Sequence, residues 1–272
     1  MTVEPRSQSR FGWMPDHPDI RDYPYSAKLG AQEAAVQLPQ SAVVAKFPKH
    51  VPVVDQGNLG SCVGNSVAAL HSYVRNVSMR SRLQIYYEAR RMIGMENEDS
   101  GAYIRDAMKV ISTLGAGRES WWPYDESKYT VDPLDKVDRD GLKRRIFNYY
   151  RLEDGQAYRT CLAAGFPFVI GFSVYSAFMS ADTAAHGVVN WPVRGERFQG
   201  GHAVLVYGYD DDFANSEWAG RSSLPAQRIP KSVYICRNSW GTDWGYNGDF
   251  AIDSMYLENP NLADDAWTAR RV

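Results

Sequence analysis

Gln56-Gly57-Asn58-Leu59-Gly60-Ser61-Cys62 is the stretch on which the reading of this chain turns. It ends on a thiol, and from that thiol onward Val63, Val67, Leu70, Val74 and Val77 recur at helical spacing, with Ala68 and Ala69 beside them. The pattern predicts a helix that begins close to Cys62. A thiol at a helix N-terminus is biased toward the thiolate. Far downstream come Gly201-His202-Ala203 and then Asn238-Ser239-Trp240-Gly241. Thiol, imidazole and side-chain amide, in that order, are the parts of a cysteine nucleophile, its base and the group that orients the base. With Cys62 and His202 140 residues apart and His202 and Asn238 36 apart, only a folded domain brings them together.

Each residue type suits a role. Next to the thiolate, His202 balances the charge and later protonates a leaving amine. Through its carbonyl oxygen, Asn238 accepts a hydrogen bond from the other ring nitrogen without adding a negative charge that would hold the proton. Trp240 shields that bond from water. Gln56, six residues before the thiol, aims its amide at the carbonyl oxygen that becomes negative on attack, and with the Cys62 N–H it forms an oxyanion hole.

Length and composition set the frame. At 272 residues with 44% hydrophobic side chains, the chain buries a substantial core as one large domain or as two lobes around a cleft. Its 30 basic and 32 acidic residues are spread without long blocks of one sign, so neither nucleic acid nor a membrane surface is expected as a partner. No secretory signal is read at the N-terminus, and no stretch is apolar for long enough to span a membrane. Compartment and oligomeric state stay open. Cys62, Cys161 and Cys236 are too few and scattered for a disulfide framework, and the latter two read as free core residues. His17, His50, His71 and His186 read as surface or satisfied polar groups. No metal or cofactor is expected, and the run Asp210 to Asp212 reads as a solvated turn.

Residues 1–37 are rich in Pro, Asp, Arg and aromatics without sustained periodicity. Phe11, Trp13, Ile20, Tyr23 and Tyr25 are too many large apolar groups for a disordered tail, so part of this extension is expected to dock over the cleft. Helices are expected from Cys62, over Arg82 to Met92, over Ile104 to Leu114 and near Ala157 to Ala164. A polar, charged stretch runs around Val131 to Arg145. Strands are expected over Phe166 to Val174, His202 to Tyr209, Ser232 to Arg237 and Asp249 to Ile252. This gives an α+β protein with a mainly helical lobe of about 55–150 and a strand-rich lobe of about 151–255.

These motifs resemble the papain family of cysteine peptidases. Gln56 to Cys62 is similar to the family's nucleophile loop, Gly201-His202-Ala203-Val204 to its histidine strand, and Asn238 to Gly245 with Gly248 to its asparagine signature. Trp122-Pro123-Tyr124 is similar to a tyrosine-proline-tyrosine turn of the family, and the likeness spans roughly Leu38 to the C-terminus. The resemblance implies a two-lobed fold in residues 38–272, with a helical left lobe and an antiparallel β-barrel-like right lobe. It implies a catalytic set of Cys62, His202, Asn238 and Gln56, and an endopeptidase acting on protein or peptide. The alternatives are an isopeptidase or transferase on the same site, or a peptide-binding protein without catalysis.

Gly101, Gly201 and Trp240 are the candidate substrate contacts, Gly101 being either a backbone partner for a substrate strand or a turn. Departures from the family are also plain. Leu59 and Val63 stand where a cysteine and a tryptophan are usual, Gly201 replaces a polar residue before the histidine, and Asp211 to Pro230 lengthens the connection between His202 and Asn238. The family's helical propeptide has no recognisable counterpart.

Overall fold

Helix α1, Cys62–Arg75, starts at the thiol and is buried from Cys62 through Ser72. An element apolar on most of its circumference belongs inside. It packs against α2 (Arg82–Arg91), α3 (Ile104–Thr113) and a long strand from the other half of the chain. At Gly64 a Cβ would lie 2.8 Å from Arg82 O and 2.9 Å from Tyr86 Cβ, so glycine sets how closely α1 and α2 meet. Asn76 ends α1 in the left-handed region. The computed structural model describes residues 11–27, 38–43 and 51–271.

The described strands are β1 (Trp13–Met14), β2 (Ser41–Val43), β3 (Ala102–Tyr103), β4 (Asn148–Leu152) and β5 (Phe168–Tyr175). After them come β6 (Val188–Val189), β7 (Phe198–Asp210), β8 (Val233–Arg237), β9 (Asp249–Asp253) and β10 (Ala263–Arg270). One sheet runs β4-β10-β5-β7-β8-β9-β6, with β2 also on β7, and is antiparallel except where β6 meets β9. It is an open path of strands, not a closed barrel. Shorter helices α4 (Asp135–Leu142), α5 (Gly155–Ala163), α6 (Ala181–His186) and α7 (Ser254–Glu258) complete the described set.

The period-2 alternation of the central strands divides the core in two. On β7, Val204 and Val206 enter a cluster with Phe172, Phe178 and Phe250, while Ala203 and Leu205 enter the cluster built on α1 and α3. Ser66 on α1 donates to Ala203 O at 3.0 Å. A residue on β7 is therefore shared between the lobes, and His202 sits where they part.

The expected helices and strands are present within a few residues of their ends. Among the elements that were not expected, two are built around buried charges. Strand β10 lies between the edge strand β4 and β5 and sends Trp267 into the helical core. Its charges Asp264, Asp265 and Arg270 hide the alternation from a sequence reading, yet Asp265 is fully buried and Arg270 nearly so. Helix α4 lies in the stretch read as merely charged, where Val137 enters a small core and Asp140 turns inward onto Arg80 at 3.3 Å.

Part of the N-terminal segment is an element of the fold. β1 pairs in parallel with β3, Trp13 opposite Ala102 and Met14 opposite Tyr103, and Ala102 N donates to Gly12 O at 2.8 Å. Residues 1–10 and 28–37 of the expected extension, and His50, lie outside the described residues. No helix among the described residues is long and apolar enough to cross a membrane.

Candidate active site

Two stretches far apart in sequence are stitched together to make the thiol wall. Gln56 N donates to Ser239 O at 2.8 Å and Gly241 N to Val54 O at 3.0 Å, so the loop before Cys62 runs beside the segment after Asn238. The Gln56 side chain is held at both ends: Nε2 donates to Leu59 O at 2.8 Å, and Oε1 accepts from Ser239 Oγ at 2.6 Å. The Tyr124 hydroxyl donates to Gln56 O at 2.8 Å and lies 2.6 Å from Ser61 Oγ. Asn65 Nδ2 donates to Ser61 O at 2.8 Å, and Arg82, stacked over Tyr124, donates to Asn65 Oδ1 at 2.9 Å. Ser239, Tyr124, Asn65 and Arg82 escaped the sequence reading as site supports, although Tyr124 stood in a motif already singled out.

The imidazole wall is made of rings. His202 Nε2 is 2.9 Å from Asn238 Oδ1, and that oxygen also accepts from Ser239 N at 2.8 Å. Trp240 covers the pair, with its ring centroid 5.0 Å from the imidazole. Phe172 and Phe178 approach the imidazole at 5.9 and 6.2 Å, while Trp240 and Trp244 pack on Phe178. The other ring nitrogen, Nδ1, is buried and has no hydrogen-bond partner. The thiol reaches this wall through the backbone: the N–H of Ala203, next to His202, points at Cys62 Sγ.

Residues 11–16 lie through the cleft as a strap. The Phe11 ring packs 6.1 Å from His202 and 6.2 Å from Trp240. The Gly12 N–H points at the Cys62 thiol, and a Cβ on Gly12 would fall 1.7 Å from Gly60 O. Trp13 covers Gly171 and Gly201, and its Nε1 donates to Asp265 Oδ2 at 3.0 Å. Asp16 is fixed by its own N–H to the same Asp265 oxygen at 2.7 Å, and its Oδ2 accepts from Trp267 Nε1 at 3.0 Å. Cys62, Gln56 and His202 are 0% exposed as a result of this cover together with the two walls.

Burial sets the charge state. It pushes the Cys62 thiol up to about 11, with the Ala203 and Gly12 N–H groups pulling the other way. It pushes His202 down to about 4 against the hydrogen bond to Asn238. Both shifts favour the uncharged forms of thiol and imidazole while the strap is in place.

Of the candidate contacts, Gly201 faces the strap directly, a Cβ there falling 2.6 Å from Trp13 O. Trp240 borders it through Phe11. Gly101 N is engaged by the Tyr86 hydroxyl at 3.2 Å, and the pairing to the strap is made one residue on, by Ala102. Among the remaining histidines, His71 is fully buried on α1 with Nε2 2.7 Å from Arg144 O. Cys161 and Cys236 are free and buried.

Comparison with known proteins follows the same outline. The family model described as papain family cysteine protease matches residues 38–268. A structure of xylellain, a cysteine protease from Xylella fastidiosa, superposes with a TM-score of 0.83 at 32% identity over 100% of both chains. An uncharacterized peptidase C1-like protein of Acanthamoeba polyphaga mimivirus is 32% identical over 84% of this chain and 73% of its own length. Procathepsin B from Trypanosoma congolense, at 18% identity and a TM-score of 0.68, covers 96% of this chain and 86% of its own and shares the fold.

Proposed function

Because the chain belongs to the papain family of cysteine proteases and is a hydrolase of protein or peptide substrates, we propose that it is an endopeptidase kept latent by its own strap. Cys62 is the nucleophile, His202 the acid and base, Asn238 the orienting group and Gln56 the side-chain donor of the oxyanion hole. The thiolate adds to the scissile carbonyl. The oxygen that becomes negative is met by the Gln56 amide and the Cys62 N–H, whose preorganised dipoles cost no rearrangement at the moment of attack. His202 delivers its proton to the departing amine, leaving a thioester on Cys62, then takes one from the water that hydrolyses it.

One observation supports this reading: Asn238 commits one nitrogen of His202 while the other is buried without a hydrogen-bond partner. A ring held in that way serves proton transfer, because its tautomer and direction are fixed by the amide. The strap supports latency in two ways. It fills the groove, and by excluding water it favours the neutral thiol and neutral imidazole over the reactive ion pair.

An epoxide that alkylates active-site thiols separates the parts of this proposal. The full chain is expected to label slowly at Cys62, Gly12→Ala at least tenfold faster because its methyl has no room against Gly60 O, and Cys62→Ala not at all. Peptide hydrolysis is expected to fall on the order of 10³-fold or more in Cys62→Ala. Undiminished hydrolysis in Cys62→Ala would end the thiol mechanism, and equal labelling with and without Gly12→Ala would end the latency.

A further inference from the structure

Gly12, the strap residue whose N–H faces the thiol, is gripped from both sides by backbone. A Cβ on Gly12 would fall 1.7 Å from Gly60 O, and a Cβ on Gly101 would fall 2.5 Å from Gly12 O. Gly60 belongs to the loop that ends on Cys62, and Gly101 stands just before β3, whose Ala102 N donates to Gly12 O at 2.8 Å. The slot between them is one glycine wide. Its width sets where a chain paired with β3 stands relative to the sulfur.

One carboxylate reaches both sides of that slot. Asp99 Oδ1 accepts from Gly60 N at 3.0 Å, and Oδ2 lies 3.2 Å from the same nitrogen. Oδ1 also accepts from the Tyr86 hydroxyl at 2.6 Å, and that hydroxyl oxygen accepts in turn from Gly101 N at 3.2 Å. A phenol can give its one proton to the carboxylate and keep a lone pair for the amide. Tyr86 is fully buried on α2, and burial first, then the bond to Asp99, push its phenol above the usual range, so it stays a donor. The loop that carries Asp99 is fixed from the same helix. Arg90 lies 4.0 Å over the Tyr86 ring, donates from Nη1 to Glu96 O at 3.0 Å and also bonds Glu98 O. The carboxylate therefore stands on a frame set by α2.

We propose that Asp99 is a positioning residue for the thiol reaction: by joining Gly60 to Gly101 through Tyr86, it fixes the separation at which a chain lying on β3 presents its carbonyl to Cys62. This rests on the strap occupying the substrate's own groove and on Cys62 being the nucleophile. Two donors from different elements converge on Oδ1, and bonds to an ionised acceptor are about twice as strong as neutral ones. An amide in its place offers one oxygen and turns a donor toward the Gly60 N–H. A misplacement of about 1 Å can cost on the order of 10²-fold in rate, so the link acts on reaction more than on affinity.

The test compares two reagents for one sulfur, with the Gly12→Ala chain as parent because its strap is loosened. Iodoacetamide needs only access to the thiol, whereas a peptidyl epoxide must lie in the slot to react. Asp99→Ala is expected to slow the epoxide by about tenfold and leave iodoacetamide within about twofold, and to lower kcat for a peptide by about tenfold with KM within about threefold. Asp99→Asn keeps one acceptor and should recover to within about threefold of the parent. Tyr86→Phe cuts the link to Gly101 without emptying the core and should lower the epoxide-to-iodoacetamide ratio by about threefold, which tests the assignment even where Asp99→Ala fails to fold. A ratio equal to the parent's in Tyr86→Phe or in folded Asp99→Ala overturns it, whether both rates fall or neither does. A ratio lowered as expected in a chain that hydrolyses no peptide supports Asp99 and counts against the endopeptidase reading.

Discussion

The two walls of the cleft are held by different forces. On the thiol side, Gln56 and Asn65 are fixed by directed hydrogen bonds from Ser239 and Arg82, and Ser61 is hydrogen-bonded to the Tyr124 hydroxyl. On the imidazole side, one hydrogen bond to Asn238 stands inside a cluster of rings from Phe172, Phe178, Trp240 and Trp244. Hydrogen bonds specify angles but contribute little net stability, whereas buried aromatic area contributes much stability and tolerates small shifts. Under the proposed mechanism the oxyanion side needs the first, since a donor must meet an oxygen that exists only in the transition state. A base that must stay dry needs the second.

The largest effect should come from emptying the packed wall. Phe178 is 1% exposed and its ring meets Phe172, Trp240, Trp244 and Phe250. Phe178→Ala is expected to lower stability by about 3–5 kcal/mol, read as a shift of the denaturant midpoint. Phe178→Leu should recover most of that and most of the activity, because volume matters here more than geometry. If the two variants are equally unstable, packing is not what holds this wall.

Ser239→Ala probes the other wall with almost no change in volume. It removes the hydrogen bond from Ser239 to Gln56 Oε1, at an expected cost of about 1 kcal/mol in stability. Peptide hydrolysis should fall by about tenfold or more through kcat, with KM little changed, since the amide loses its aim at the oxyanion. A loss of stability without that kinetic signature would reduce Ser239 to a structural residue and remove the contrast between the walls.

How much of this was legible in the sequence follows the same division. The pairing of His202 with Asn238 was readable because both stand in ordered motifs with few substitutes, and α1 because its apolar period is long. The folding of the strap into the groove was foreshadowed by Phe11 and Trp13, whose bulk needed a home. Asp265 carried no signal at all. It reads as one of a pair of surface acids in Asp264-Asp265, and only the left-handed turn of β10 sends it inward. The same charges concealed β10 itself, and the acids of α4 concealed a helix whose Asp140 is buried against Arg80. Local pattern reports the side chains that burial selects by hydrophobicity, and it is silent where burial is made acceptable by a partner from elsewhere in the chain.

The smallest expected effect joins the walls through the strap, and its sign rests on two opposed groups. Asp16 is pushed up to about 7 by burial first and the Asp265 charge second, while Arg105 and Trp267 act to lower it. When the strap leaves, Asp16 leaves with it and returns toward 3.8. A carboxyl whose closed-state pKa is raised supports closure fully below its open value and loses that support as pH climbs through the closed value. His202 works in the other direction: burial holds it near 4 against an ordinary 6.5, so closure weakens as pH falls across that interval. Asp16 is carried wholly into water on opening, but His202 stays beneath Trp240 and Phe178 and regains only part of its hydration. Asp16 therefore outweighs it, and acid should tighten the strap. Between pH 7.5 and 4.5 the rate of Cys62 labelling in the full chain, divided by that in Gly12→Ala, is expected to fall by about tenfold, and Asp16→Asn should flatten the curve. A ratio that instead rises with acid would mean that the imidazole wall, not the strap's own carboxyl, governs opening.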